Sequence, residues 1–234
     1  MAGSILKRAF GAKTMTRRDL QKLANELDIH SCVSHFQALE EKRGYDIGKQ
    51  FPDVLYKRGI QKRLQDYWSS PGPSTHTLDG DGYNFDAGMA GCEWAAYVRV
   101  RNPNAVVLSV YPKDRTAKAE HILYQLTSSL VYNFATLVPA EFDKADGLSR
   151  RNFETLAQGG AQGIEAGLRI LESLPELGVG RFLCIVDALN LAENDSTRAD
   201  VRKLTAVLER ILARHNGHLL YTVAKRRKTN YGVA

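Results

Sequence analysis

The sequence predicts an α/β fold: a three-layer, mainly parallel sheet with helices on both faces, preceded by a small helical module. Three observations carry this expectation. Apolar runs rich in β-branched residues recur along the later part of the chain, segments of helical period separate them, and a Ser/Pro/Gly-rich stretch divides them from an all-helical beginning.

The elements follow in chain order. Thr16 with Asp19 three residues on has the spacing of a capping box, and Leu20, Leu23 and Leu27 continue at i, i+3 and i+7. Val33, Phe36 and Leu39 suggest a second short helix ending near Gly44. Val54, Leu55, Ile60, Leu64, Tyr67 and Trp68 line one side of a third, with Lys57, Arg58, Lys62 and Arg63 on the other. Residues 1–70 therefore read as a helical, basic N-terminal module. The stretch from Ser69 to Thr75, with Pro71, Gly72 and Pro73, cannot continue a helix and marks its boundary.

Residues 71–234 read as an α/β core. Ala105–Tyr111, Arg181–Asp187 and Gly217–Val223 are apolar runs of strand length, and such unbroken runs suit strands covered on both faces. Between them, Thr116–Phe134, Arg151–Leu174 and Thr197–His215 carry helical periodicity. The last has Thr197 and Asp200 in capping-box spacing and stops at Asn216-Gly217. Strand–helix alternation of this kind predicts right-handed crossovers.

Composition narrows the function classes. The chain has 234 residues, 44% hydrophobic and 25% charged, which is the profile of a folded globular chain and not of a fibre or a disordered tail. No apolar run approaches the roughly 20 residues of a bilayer span, and the first 16 residues lack the continuous apolar stretch of a secretory signal. Three cysteines, Cys32, Cys92 and Cys184, make no disulfide framework, so an intracellular, cytoplasmic location is expected. The net charge of +6 is uneven: residues 1–70 hold 13 basic and 8 acidic side chains, residues 71–180 hold 9 and 13, and residues 181–234 hold 10 and 5. A phosphate-bearing partner would meet the ends before the acidic middle.

The most informative segment is Arg181-Phe-Leu-Cys-Ile-Val-Asp-Ala-Leu-Asn190. An apolar strand ending in Asp187 puts a carboxylate at the carboxyl edge of a parallel sheet, where open α/β folds bind ligands. In P-loop nucleotidases such an Asp holds the Mg²⁺ that bridges nucleotide phosphates. The plainer alternative is an Asp that caps the following turn.

Together, Val106–Tyr111, Lys113-Asp-Arg115, Ile122-Leu-Tyr-Gln-Leu126, Cys184-Ile-Val-Asp-Ala-Leu189 and Leu219-Leu-Tyr-Thr222 resemble the nucleotidase core of fungal NACHT-like STAND proteins, over residues about 75–230. The resemblance implies a nucleotide site in which Asp187 takes the place of the Mg²⁺-holding acid and Thr222 that of the first residue of a "TSR" strand end. It also shows what is missing. Asn190 and Leu191 stand where a second acid and the catalytic Glu would be, Val223 and Ala224 replace the Ser and Arg, and no G-x-x-x-x-G-K-[ST] occurs. Thr75–Gly88 falls where the family's first strand, phosphate loop and helix would lie. Gly80, Gly82 and Gly88 permit tight turns there, but the segment has no Lys, and Asp79, Asp81 and Asp86 would repel phosphates. Gly44–Gln50 has the wrong glycine spacing for a phosphate loop.

The expectation is a degenerate, non-hydrolysing nucleotidase-like domain with a relic site at Gly80, Gly82, Gly88, Asp187 and Thr222, no catalytic residue and no cofactor, although a nucleotide with Mg²⁺ retained without hydrolysis is compatible with the pattern. Its partner would be another protein, or a second copy through self-assembly. The alternative is a basic nucleic-acid-binding protein, such as a viral coat protein or nucleoprotein, using the N-terminal cations and Lys225, Arg226, Arg227 and Lys228. No metal site is expected: His30, Cys32 and His35 are close in sequence but match no zinc spacing.

Overall fold

A computed structural model describes residues 14–26, 59–79 and 87–224. Three apolar segments and one largely polar one form strands in it: β3 (Val106–Val110), β5 (Phe182–Asp187) and β6 (His218–Val223), with β2 (Ser74–Asp79) the polar one. They lie in the order β2-β6-β5-β3, and every neighbouring pair is parallel. Two further short strands, β1 (Thr14–Thr16) and β4 (Glu141–Asp143), pair antiparallel as a separate ribbon, Thr14 opposite Asp143 and Thr16 opposite Glu141.

The chain runs from β2 at one edge to β3 at the other, then returns through β5 and β6. Right-handed crossovers that travel in opposite directions must cover opposite faces. Accordingly, α3 (Ala87–Arg101), which links β2 to β3, packs on one face, where Ala87, Ala90, Trp94, Ala95 and Val98 meet Leu78, Val107, Leu183, Ile185 and Leu220. The returning helices cover the other: α4 (Ala119–Ala135), α6 (Gly160–Glu172) and α7 (Arg198–His215) pack with Leu108, Val110, Phe182, Cys184, Val186 and Leu219. All six residues of β5 are buried, as expected of a central strand covered on both sides. The result is the three-layer α/β architecture that the alternation of elements predicts.

The described parts of the N-terminal region join both outer layers. At the start of α1 (Arg17–Glu26) the capping box forms: Asp19 Oδ2 accepts from the Thr16 N–H (3.1 Å) and hydroxyl (2.7 Å), while the Asp19 N–H donates to Thr16 Oγ1 (3.1 Å). Leu20 and Ala24 bury into the α4 side, and Arg17 Nε donates to the Val138 carbonyl at 2.5 Å. In contrast, α2 (Ile60–Ser69) buries Ile60, Leu64, Tyr67 and Trp68 on the α3 side. The helix expected around Val33–Leu39 lies outside the described residues.

Two expectations need correction. The single helix expected over Arg151–Leu174 is two, α5 (Arg150–Gln158) and α6, because Gly159 (φ 74, ψ −162) and Gly160 (φ 64) adopt backbone that side chains disfavour. The break lets Ser149 cap α5, its side chain accepting from the Asn152 N–H. The capping box expected at Thr197 and Asp200 does not form. Thr197 is buried, its hydroxyl bonds to the Ala192 carbonyl (2.7 Å) and accepts from the Asn194 N–H (3.0 Å), and Asp200 pairs with Lys203 instead. At the other end of α7, Asn216 is left-handed (φ 49), as its position before Gly217 suggests.

Gly159→Ala should lower stability by about 1–3 kcal/mol, because the dihedrals at this position are nearly exclusive to glycine. A urea unfolding midpoint at the wild-type value would contradict the hinge geometry.

Candidate functional site

Strand register brings the first two site residues together. Asp187, the last residue of β5, stands opposite Thr222 of β6, and the alternation of side chains turns both toward α3 with Leu183, Ile185 and Leu220. Thr222 donates its hydroxyl to Asp187 Oδ1 at 2.5 Å, and both residues are buried. A threonine at the end of an apolar strand thus satisfies one carboxylate oxygen.

The second oxygen is held from a different loop. Arg115 lies between β3 and α4, and donates from Nε to Asp187 Oδ2 at 2.9 Å, with Nη2 2.7 Å from the same oxygen. Both nitrogens converge on one oxygen, so the contact is a charge-assisted hydrogen bond with a close ion pair beside it, and not the two-oxygen fork. Its loop is itself fixed. The Lys113 N–H donates to the buried Gln125 side chain (2.7 Å), and Asp114 accepts from the Thr116 N–H (2.7 Å) and hydroxyl (2.6 Å), bonds that hold the Asp114 carboxyl below its usual range. Asp187 is fully shielded from solvent and Arg115 is 20% exposed, so the pair sits at the mouth of the sheet with its acid inward. Tyr111, just after β3, is buried close by. Burial first, then the Cys92 and Asp187 charges, push its phenol well above the usual value, against the hydrogen bond with Ser109.

The amino end of α3 closes the site. A Cβ at Gly88 would overlap the Arg115 guanidinium and lie 2.6 Å from Asp187 Oδ1. One turn on, a Cβ at Gly91 would lie 2.8 Å from Thr222 Cγ2. Helix amino ends attract anions through their free N–H groups and dipole. Here the anion beside that end is the protein's own Asp187, and the cation beside it is the protein's own Arg115. Among the described residues, no three His, Cys, Asp or Glu side chains converge as a metal set.

Asn190 is the clearest revision of the sequence reading. At the position where the resemblance asks for a second acid, its amide donates to the Ala224 carbonyl (2.8 Å) while its Oδ1 accepts the Ala224 N–H (3.0 Å). An aspartate could not make both bonds, since a carboxylate only accepts. The residue clamps the exit of β6 to the turn after Asp187, where Ala188 is left-handed (φ 56) and donates to the Thr222 carbonyl.

Of the residues expected at the site, the structure brings together Gly88, Asp187 and Thr222. Gly80 and Gly82 lie outside the described residues, as do Lys225, Arg226, Arg227 and Lys228 of the nucleic-acid alternative, the His30, Cys32 and His35 group and the Gly44–Gln50 segment. Sequence reasoning missed Arg115 and Gly91. The signal for Gly91 was its i+3 spacing from Gly88 in a helix, which aligns two residues without side chains on one stripe. Arg115 had none, being 72 residues from its partner. No protein-family model matches the chain, and no curated protein sequence matches it.

Arg115→Met should destabilise the fold by about 3–5 kcal/mol, because it strands a buried carboxylate. Adding Asp187→Asn should restore part of that loss. Equal and additive losses in a double-mutant cycle, read by chemical denaturation, would show that the two side chains do not act as a pair.

Proposed function

We propose that this chain is a degenerate, non-hydrolysing nucleotidase-like domain, related to the NACHT-like STAND group, that works as a protein-interaction or regulatory module. One observation carries the reading: the Arg115–Asp187–Thr222 network packed beneath Gly88. A working nucleotidase site needs an acid free to hold Mg²⁺, a helix amino end open to phosphate and a group that activates water. In this chain the acid is bonded on both oxygens, and side chains of the protein lie against the helix end.

The position of Gly88 beside Asp187 supports descent from a site that once held phosphate, since a phosphate loop and its acid must be adjacent. The fate of Asn190 supports loss of hydrolysis, because the residue is committed to the backbone of Ala224. A domain without turnover keeps its use as a surface that a protein partner, or a second copy, reads. Among the described residues no helix is long and apolar enough to cross a membrane.

The purified chain should show no turnover of ATP or GTP with Mg²⁺, and millimolar Mg²⁺-nucleotide should leave its melting temperature unchanged. Turnover that disappears in Asp187→Ala would overturn the proposal.

A further inference from the structure

At the amino edge of the same sheet face, a second polar group is buried that the carboxyl edge does not use. His218, the first residue of β6, is fully buried. Its Nδ1 is 2.7 Å from Ser74 Oγ, and its Nε2 is 3.2 Å from Arg181 Nε and 3.1 Å from Arg181 Nη2. A guanidinium has donors only, so Nε2 accepts and the ring proton sits on Nδ1, from which it is donated to Ser74. This tautomer cannot take a proton from the serine, and the pair is therefore not a nucleophile with its base.

The ring is enclosed by α2. Tyr67 meets it edge-on with centroids 5.3 Å apart, Trp68 lies 5.0 Å away, and Arg181 stacks over the Trp68 ring at 4.2 Å. Tyr67 also packs on His76 of β2, at 5.3 Å. The last turn of α2 thus closes over a histidine whose two nitrogens are both occupied.

Adding a proton to Nε2 sets a donor against the two donors of Arg181 and places two cations in contact. The groups on the surrounding elements do not offset this. From α2 come Lys62, Arg63, Tyr67 and Asp66, of which Asp66 is the only acid and is exposed. β2 brings His76, with Asp79 at its far end; β5 brings Cys184, with Asp187 at its far end beside Arg115; β6 itself brings Tyr221. Burial, then the Arg181 charge, lower the His218 pKa to about 4. His76 moves the same way, through burial and Arg63.

We propose that His218 is an acid-released latch: uncharged, it bridges Ser74 and Arg181 and holds the end of α2 on the sheet, and on protonation it lets α2 go. A histidine with its folded pKa below the free value of about 6.5 stabilises the docked state fully above that value and progressively less as pH falls toward 4. Docking of α2 should therefore weaken by at most about 300-fold, at tenfold per pKa unit over that window.

Hydrogen exchange of the full chain, corrected for the intrinsic pH dependence of the amides, tests this. Between pH 6.5 and 4, α2 should lose protection while β5 and α4 keep theirs, and in His218→Gln the protection of α2 should stay flat. Unchanged α2 protection down to pH 4, joint loss in α2 and β5, or the same profile in His218→Gln would each overturn the latch. Should His218→Gln fail to fold, Arg181→Gln decides: removing the opposing charge brings the docked pKa nearer the free value, so the loss of α2 protection between pH 6.5 and 4 must shrink, and an unchanged loss overturns the proposal.

Discussion

The carboxyl edge of this protein depends on one buried ion pair. Asp187 would be intolerable alone at the end of an apolar strand, because taking a carboxylate out of water costs several kcal/mol. Arg115 offsets that cost from one side and Thr222 from the other, and these two partners come from the loop after β3 and from β6. The three segments that meet at the edge are tied there through a single side chain. Around it the close approach of α3 follows, since only glycine at positions 88 and 91 leaves room for the helix to descend onto the pair.

The sheet explains why these groups meet at all. Because the chain crosses from one edge to the other on one face and returns on the other, the helix leaving β2 and the turn leaving β5 diverge above β6. Doubly wound sheets open a crevice at such a place. In this protein the crevice is filled by its own charges, and the polar cluster at the opposite end of the same face, around His218, is roofed by α2. Each end of that face is thus sealed by polar side chains, with the apolar contacts of α3 between them.

What the sequence disclosed follows the range over which its signals act. Periodicity and apolar runs are local, and they identified β3, β5, β6, α4 and α7 to within a few residues. Asp187 was legible because it ends an apolar run, whereas Gly88 reads in the sequence as a turn glycine of a phosphate loop and lies instead inside α3, where it makes room for the pair. Arg115 was not, since no local pattern tells an arginine that pairs across the sheet from one that is solvated. Asn190 was read as a loss when it is a clamp, a role set by the backbone of Ala224, 34 residues on. The Gly159-Gly160 break was hidden because the apolar periodicity of Arg151–Leu174 runs through it. Thr197 kept the letters of a capping box while tertiary contacts took its hydroxyl elsewhere.

The pairing of Arg115 with Asp187 also constrains how this lineage can change. A mutation that brings a second cation to the α3 amino end, as a phosphate-binding lysine would, meets a positive charge already in place. Losing Arg115 first leaves an orphaned acid in the interior. Either single step passes through a weakened fold, so replacing the pair by another arrangement requires two changes at once. The ion pair works as a ratchet: once formed, it resists being dismantled by the stepwise route.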